Sequence, residues 1–150
     1  MKEPAHSRRE RFFVTCAPGL EAVLHAEMKA LELSKIERQV GGVYFEGGLR
    51  DAWRANLWLR TAVRVLMRLA RFEATTSDEF YEGVKRIEWA RYLRPSGSLA
   101  VDAHSSESEL DHTLFLAQRA KDAIVDVLRT SGGVRPAVDK EEPDLGVYVH

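Results

Sequence analysis

The hydrophobic patterning predicts an α+β protein built from two small units. Strand-like and helix-like segments follow the order β-α-β-β-α-β, a glycine pair separates the two middle strand-like segments, and a short polar run then resets the pattern. That order, within roughly 65 residues, is the split unit called ferredoxin-like, an antiparallel sheet with two helices on one face. A chain of 150 residues with 45% apolar content suffices for each unit to bury its own core.

The first strand is "RFFVTC" (Arg11 to Cys16), rich in β-branched and aromatic residues and ended by Pro18-Gly19. Leu20, Val23, Leu24, Met28 and Leu31 then share one face of a helix. In "KIERQVGGVYFEGG", Gly41-Gly42 supplies the positive φ angles of a tight hairpin turn. "LRDAWRANLWLRTA" reads as a helix with Leu49, Trp53, Leu57 and Trp58 on its stripe. "VRVLMRLARFEA" is a strand alternating Val63, Val65, Met67 and Leu69 against Arg64 and Arg68.

The polar run Thr75-Thr76-Ser77 marks a boundary, with Asp78 expected to cap the next helix. The organisation expected is a flexible tail over 1–10, the ferredoxin-like domain over 11–75 and an α/β unit over 76–150. In that second unit Phe80, Val84 and Ile87 face inward, the helix restarts from Trp89 to Leu93, and Pro95 and Gly97 end it. "SLAVDAH" is a strand with Leu99, Val101 and Ala103 on one side. After "SSESEL", Asp111 is the expected N-cap of a long helix with stripe Leu116, Ala120, Ala123, Ile124, Val127 and Leu128, closed by Gly132-Gly133. "VRPAVD" is extended because the residue before a proline avoids helical angles, and "LGVYVH" turns Leu145, Val147 and Val149 inward. A stop at the end of a strand leads us to expect a second unit that is incomplete at its C-terminus.

Composition excludes several classes. A single cysteine, Cys16, rules out an internal disulfide framework and leaves no thiol pair for structural zinc, which points to the cytoplasm. No secretory signal is present, and no window approaches the ~20 apolar residues of a membrane helix. His6, His25, His104, His112 and His150 show no metal-ligand spacing; the nearest constellation is Asp102, His104, Asp111 and His112, read as a solvated loop edge. Cys16 lies before a helix start, where the dipole lowers a thiol pKa, although free cysteines are most often buried. No glycine-rich phosphate loop is present, so no cofactor site is expected in this chain.

The formal charge of −1 conceals a local imbalance: Arg50, Arg54, Arg60, Arg64, Arg68 and Arg71 face Asp51 alone. Three readings stay open, a solvated helix face and edge strand, a buried network of Asn56, Arg60 and Arg64 joining the two units, or RNA contact. Trp53 and Trp58, on an otherwise apolar helix, are read as core or domain-interface residues rather than base-stacking platforms. On the long helix, Gln118, Arg119, Lys121 and Asp122 lie on or beside the outward face, and Arg129 sits near the negative helix end. Arg135 lies beyond the cap and is restrained by Pro136. It is either a phosphate fork or a loop arginine paired with Asp139 or Glu141.

The succession "TCAPGLE", "GGVYFEGGL", "NLWLRTAVRVL", "FYEGVKRIEW", "AQRAKDAIVD" and "VRPAVD" resembles the N-terminal region of the bacterial 23S ribosomal RNA (guanine-N2) methyltransferases, from about Phe12 to His150. Those proteins carry a ferredoxin-like domain, a THUMP domain regarded as RNA-binding, and a Rossmann-like domain that binds S-adenosylmethionine. The resemblance implies a THUMP domain over 76–150 and RNA as partner, with 23S ribosomal RNA favoured over tRNA. It implies an RNA-facing surface of Arg119, Lys121, Arg135 and Pro136, with Lys85 and Arg86 as weaker candidates and Asp122 and Asp126 either orienting the basic groups or solvating the helix. The catalytic and S-adenosylmethionine motifs have no counterpart here, so methylation and cofactor are assigned to a C-terminal domain of a longer parent. The competing expectations are a tRNA-binding module of a tRNA-modifying enzyme, a protein interaction module without RNA affinity, and an enzyme using Cys16 or the Asp102–His104 pair. The sequence leaves the oligomeric state open.

Overall fold

The computed structural model describes residues 9–105, 110, 112–133 and 135–150. Most of the expected tail, with His6, and the expected cap Asp111 lie outside the described residues. The chain divides into two compact units, the first ending at Leu69 and the second beginning at Ala70.

The first unit runs β1 (Glu10–Cys16), α1 (Glu21–Ala30), β2 (Ser34–Gln39), β3 (Gly42–Gly47), α2 (Leu49–Trp58) and β4 (Ala62–Met67). Its four-stranded antiparallel sheet has the order β2-β3-β1-β4, the ferredoxin-like topology. Glu10, assigned by sequence to the tail, is already in β1 opposite Gly47. Phe12, Val14 and Cys16 point from β1 into the core, where the Phe12 ring stacks on Phe45 at 5.0 Å. The hairpin between β2 and β3 uses its glycines differently. Gly41 takes a φ of +80°, whereas a Cβ on Gly42 would lie 2.2 Å from the Val14 carbonyl oxygen.

The α2 helix forms as expected but buries another face. Ala52 and Ala55 pack inward, followed by Leu59, while Trp53, Leu57 and Trp58 are 52%, 80% and 68% exposed. Small residues let a helix approach its sheet closely, and an indole on that face would hold it away. On α1 only Leu24 and Met28 are buried, with Leu20 and Val23 at the solvent margin. Val63 in the edge strand β4 is exposed, and Val65 and Met67 pack against the core.

The second unit comprises α3 (Ser77–Lys85), a 3₁₀ turn (Trp89–Arg91), β5 (Ser98–Ala103), α4 (Thr113–Gly132), β6 (Ala137–Val138) and β7 (Leu145–Val149). Its sheet has the order β6-β5-β7, and both pairings are parallel. Thr76, not Asp78, caps α3. Its hydroxyl accepts the Glu79 N–H at 3.2 Å while the Glu79 carboxylate accepts the Thr75 and Thr76 amides at 2.8 and 3.2 Å, a reciprocal box that Asp78, two residues further on and already inside the helix, does not make. Phe80 and Val84 are buried beside Trp89, whose indole N–H donates to the Val84 carbonyl at 2.8 Å. On α4 the expected stripe is buried except that Val125 replaces Val127, because α4 packs on both β5 and α3. Gly133 ends the helix with a φ of 70°.

Candidate nucleic-acid interface

Two polar pairs set α3 beside α4. An Arg119 N–H donates to the Asp78 carboxylate at 2.6 Å, and the guanidinium lies 4.3 Å from the Tyr81 ring centroid. The Tyr81 hydroxyl donates to the Asp126 carboxylate. That bond is the first cause raising the Tyr81 pKa, with burial second and the Asp126 charge third. The pairs ascend both helices in the same sense, Asp78 with Arg119 and then Tyr81 with Asp126. The C-terminal ends of α3 and α4 therefore lie at one end of the unit.

Cations gather at that end. Lys85 closes α3, 3.6 Å from Glu82 and 5.2 Å from the Tyr81 ring, and the exposed Arg86 is its C-cap. Arg129 occupies the last turn of α4, where the free carbonyls favour it. The loop ahead of β5 brings Arg94, whose charge helps hold the Asp144 carboxyl low, after the larger effect of its bonds from the Ser98 amide and hydroxyl. The Ala137 amide donates to the Gly97 carbonyl at 3.3 Å, so β6 starts beside β5 and carries the preceding Arg135 to this end of the sheet.

Pro136 is buried and anchors the strand, while Arg135 is exposed. Among the described residues the Arg135 side chain has no hydrogen-bond or ion-pair partner. Asp139, its candidate partner, instead accepts the Glu141 and Glu142 amides at 2.9 and 3.1 Å. Of the two readings of Arg135, the loop ion pair is not formed.

The other candidates are placed differently. Arg119 and Lys121 lean back onto the protein, with side chains 29% and 19% exposed, and Lys121 lies 3.4 Å from Asp122. Helical spacing put them on the outer face but could not show that α3 covers part of it. Arg60 is 88% exposed and pairs with Glu27 at 3.2 Å, and Asn56 donates to the Ala52 carbonyl at 2.9 Å, both partners lying in the first unit. Arg60 and Arg64 are exposed, as in the reading of a solvated face. Burial first, and the Glu21 charge second, push the Cys16 thiol up, opposite to the activation that a helix dipole gives. Asp102 and His104 are exposed at the far end of β5, where the His104 and His150 rings lie 5.6 Å apart. Among the described residues no group of three or more His, Cys, Asp or Glu can hold a metal, and no helix is long and apolar enough to cross a membrane. Tyr81 and Arg94 escaped the sequence reading, which took Asp78 for a helix cap and not for the partner of Arg119. Asp78, Tyr81 and Lys85 recur at helical spacing on one face, the signal that was available.

The family model described as a THUMP domain matches residues 74–150, just over half of the chain. The chain belongs to the THUMP domain family. Ahead of the THUMP match, residues 11–66 match the model described as the RlmL ferredoxin-like domain. The ribosomal RNA large subunit methyltransferase K/L of Ectopseudomonas mendocina (strain ymp) is 45% identical over 143 residues, which is 95% of this chain and 20% of that protein. The chain thus spans about a fifth of the length of the curated relatives it matches. A crystal structure of a predicted N6-adenine-specific DNA methylase from Listeria monocytogenes str. 4b F2365 superposes with a TM-score of 0.82 at 33% identity, covering 95% of this chain and 38% of that one. A structure of SMU.472 complexed with SAH gives a TM-score of 0.79 at 29% identity over 95% of this chain and 36% of that one. The Listeria protein is named for DNA and the curated relatives for ribosomal RNA. The pairing of a ferredoxin-like and a THUMP domain expected from the sequence is the one the chain contains.

Proposed function

We propose that this chain captures and positions 23S ribosomal RNA for an S-adenosylmethionine-dependent guanine-N2 methyltransferase domain C-terminal to it, and that it does so in the cytoplasm. In this reading residues 11–75 form the ferredoxin-like domain and 76–150 the THUMP domain. The observation that carries it is Arg135, whose guanidinium has no partner among the described residues and whose backbone is held by the buried Pro136 and by β6. Arginine presents planar paired donors that match a phosphate. Arg86 and Lys85 flank it at the same end of the unit, and Lys121 extends the surface along α4. Arg119 serves by holding α3 to α4. The names of the curated relatives support ribosomal RNA as the substrate class.

We assign the cofactor to that C-terminal domain. The crossover from β5 to α4, where a parallel α/β unit would cradle a nucleotide, contains no glycine between His104 and His112. Phosphate contacts position a backbone without reading its sequence, so specificity rests on RNA shape or an unpaired end.

The test is anisotropy titration of a labelled 23S ribosomal RNA hairpin with the wild type and Arg135→Glu. The variant is expected to lose about tenfold or more in affinity, as for a charge-assisted contact, and to lower the log-log salt slope by about 0.7–0.9. Unchanged affinity in a folded variant removes Arg135 from the site.

A further inference from the structure

We infer that the helix-free face of the first unit's sheet is a second RNA contact, which takes a short single-stranded segment by stacking its bases on Phe13 and on the layered Tyr44 and Arg11 while flanking basic side chains hold its phosphates. The inference rests on the RNA reading above for the class of ligand only, and all its residues belong to the ferredoxin-like unit.

The strand register separates the two faces of this sheet. Phe12, Val14, Val43 and Phe45 share one core with Leu24 and Met28 of α1 and Ala52 and Ala55 of α2, so both helices lie on that side. Successive residues of a strand point to opposite faces, and Phe13 stands opposite Tyr44 on β3 and opposite Leu66 on β4. These three large side chains therefore meet on the other face, outside the core and half-buried. Phe13 and Tyr44 occupy the two central strands of the order β2-β3-β1-β4. A four-stranded sheet with aromatic residues on its central strands is a surface on which single-stranded RNA lays its bases.

The rings are placed for stacking. Phe13 lies across Gly42, where a Cβ would come within 2.7 Å of its Cζ, so the glycine keeps the ring low against the sheet with its other side outward. The Phe13 and Tyr44 centroids are 4.6 Å apart, and the Arg11 guanidinium lies 4.4 Å from the Tyr44 centroid. A base stacks on a guanidinium plane as it does on a ring, which sets two stacking places side by side.

The charge of this face selects a phosphate-bearing ligand. Arg11 pairs with Glu37 and Lys35 with Glu46, each at 2.7 Å, so the two acids are matched one for one. Arg9 reaches the Glu46 carbonyl at 3.3 Å, and Arg68, whose amide donates to the Arg11 carbonyl at 2.9 Å, continues the alternation of Leu66. These two arginines are in excess over the acids, and the register sets Arg64 on the same face, opposite Thr15. The Glu46 carboxyl is held below the usual glutamate range first by its bond from Lys35, with burial opposing and the charges of Lys35, Arg11 and Arg9 adding. A protein partner would have to desolvate the surplus guanidinium groups and supply acids for them. A single strand of RNA brings phosphates for the arginines and bases for the rings together. A duplex offers phosphates but keeps its bases stacked on one another.

The test is anisotropy titration of the full chain with a labelled oligouridine and with an RNA duplex of equal length. Phe13→Leu/Tyr44→Leu removes the aromatic faces but keeps large apolar side chains, Phe13→Tyr/Tyr44→Phe keeps the rings, and Arg135→Glu probes the THUMP site, with thermal melts to verify folding. The expected result is tighter binding of the single strand than of the duplex, about tenfold or more loss of oligouridine affinity in the leucine variant, and near wild-type affinity in the ring-keeping variant. Oligouridine binding that persists in Arg135→Glu sets this contact apart from the THUMP site and supports the inference. Photocrosslinking of a 4-thiouridine oligomer to the wild type needs no variant: crosslinks in β1 and β3 support the inference, and crosslinks confined to the second unit overturn it. Unchanged oligouridine affinity in a folded leucine variant overturns it. Absence of oligouridine binding, while the ribosomal hairpin still binds through Arg135, also overturns it and leaves the proposed function standing. Self-association of the chain that the leucine variant abolishes overturns it as well, since the face then serves a second copy.

Discussion

One carboxylate ties α1 to the start of β4. Glu27, with its side chain 14% exposed, accepts the Thr61 hydroxyl at 2.6 Å, the Thr61 amide at 3.1 Å and the Arg60 Nε–H at 3.2 Å. The Thr61 hydroxyl is the chief cause holding the Glu27 carboxyl below the usual glutamate range, with the Thr61 amide and Arg60 adding and burial opposing. Glu27→Gln keeps the shape but turns one oxygen into a donor, so one oxygen must serve three donors. A bond to a charged acceptor is worth about 1.5–3 kcal/mol net, and partial rescue by the remaining carbonyl leaves a loss of about 2 kcal/mol at neutral pH. The sign follows from the lowered pKa. The advantage of the wild type is fully present above the unfolded value of about 4.3 and disappears as pH falls through the folded value. Urea denaturation followed by circular dichroism, at neutral and acid pH, measures both. Arg60→Gln is expected to cost less than about 1 kcal/mol, since that side chain is mostly in solvent. An unchanged midpoint for Glu27→Gln at neutral pH, or a difference that survives full protonation, refutes the reasoning.

Further outcomes follow from close contacts. Gly42→Ala is expected to destabilise the first unit by more than about 2 kcal/mol, because the new methyl meets the Val14 carbonyl in the neighbouring strand rather than a movable side chain; an unchanged melting temperature contradicts this. Tyr81→Phe is expected to cost about 1–2 kcal/mol. In ultraviolet titration of the wild type, one of the four tyrosines should ionise late and shift downward in Asp126→Asn. The stability owed to that bond is held below pH ~10 and lost as pH rises through the raised folded value. Cys16, 8% exposed and with its thiol pushed up, should react with a disulfide reagent at neutral pH only on unfolding; reaction at the rate of a free thiol overturns that assignment.

Much of the fold was legible because its periods are local. The Gly41-Gly42 turn, the β-α-β-β-α-β succession and the Gly132-Gly133 helix end each depend on a few adjacent residues. What failed depended on the opposing surface. On α2 the large apolar residues looked like the core, yet the sheet accepts the alanines, and periodicity alone weighs a tryptophan above an alanine. Both Thr76 and Asp78 are of cap-forming type, and the deciding signal was Glu79 three residues after Thr76. Arg119 was placed on the outer face by its helical position, but its long side chain folds back onto Tyr81 from another helix. Arg135 was readable because its restraint is local, a proline directly after it, whereas its association with Lys85, Arg86 and Arg94 needed the helix pairing and the β5–β6 register.

The most direct measurement is the salt dependence of binding by the 150-residue chain to a 23S ribosomal RNA hairpin and to a tRNA acceptor stem, read by fluorescence anisotropy. The account predicts binding that weakens linearly on a log-log salt plot and favours the ribosomal hairpin. Absence of binding, or affinity indifferent to salt, contradicts RNA capture by this chain, and a preference for the acceptor stem contradicts ribosomal RNA as its substrate.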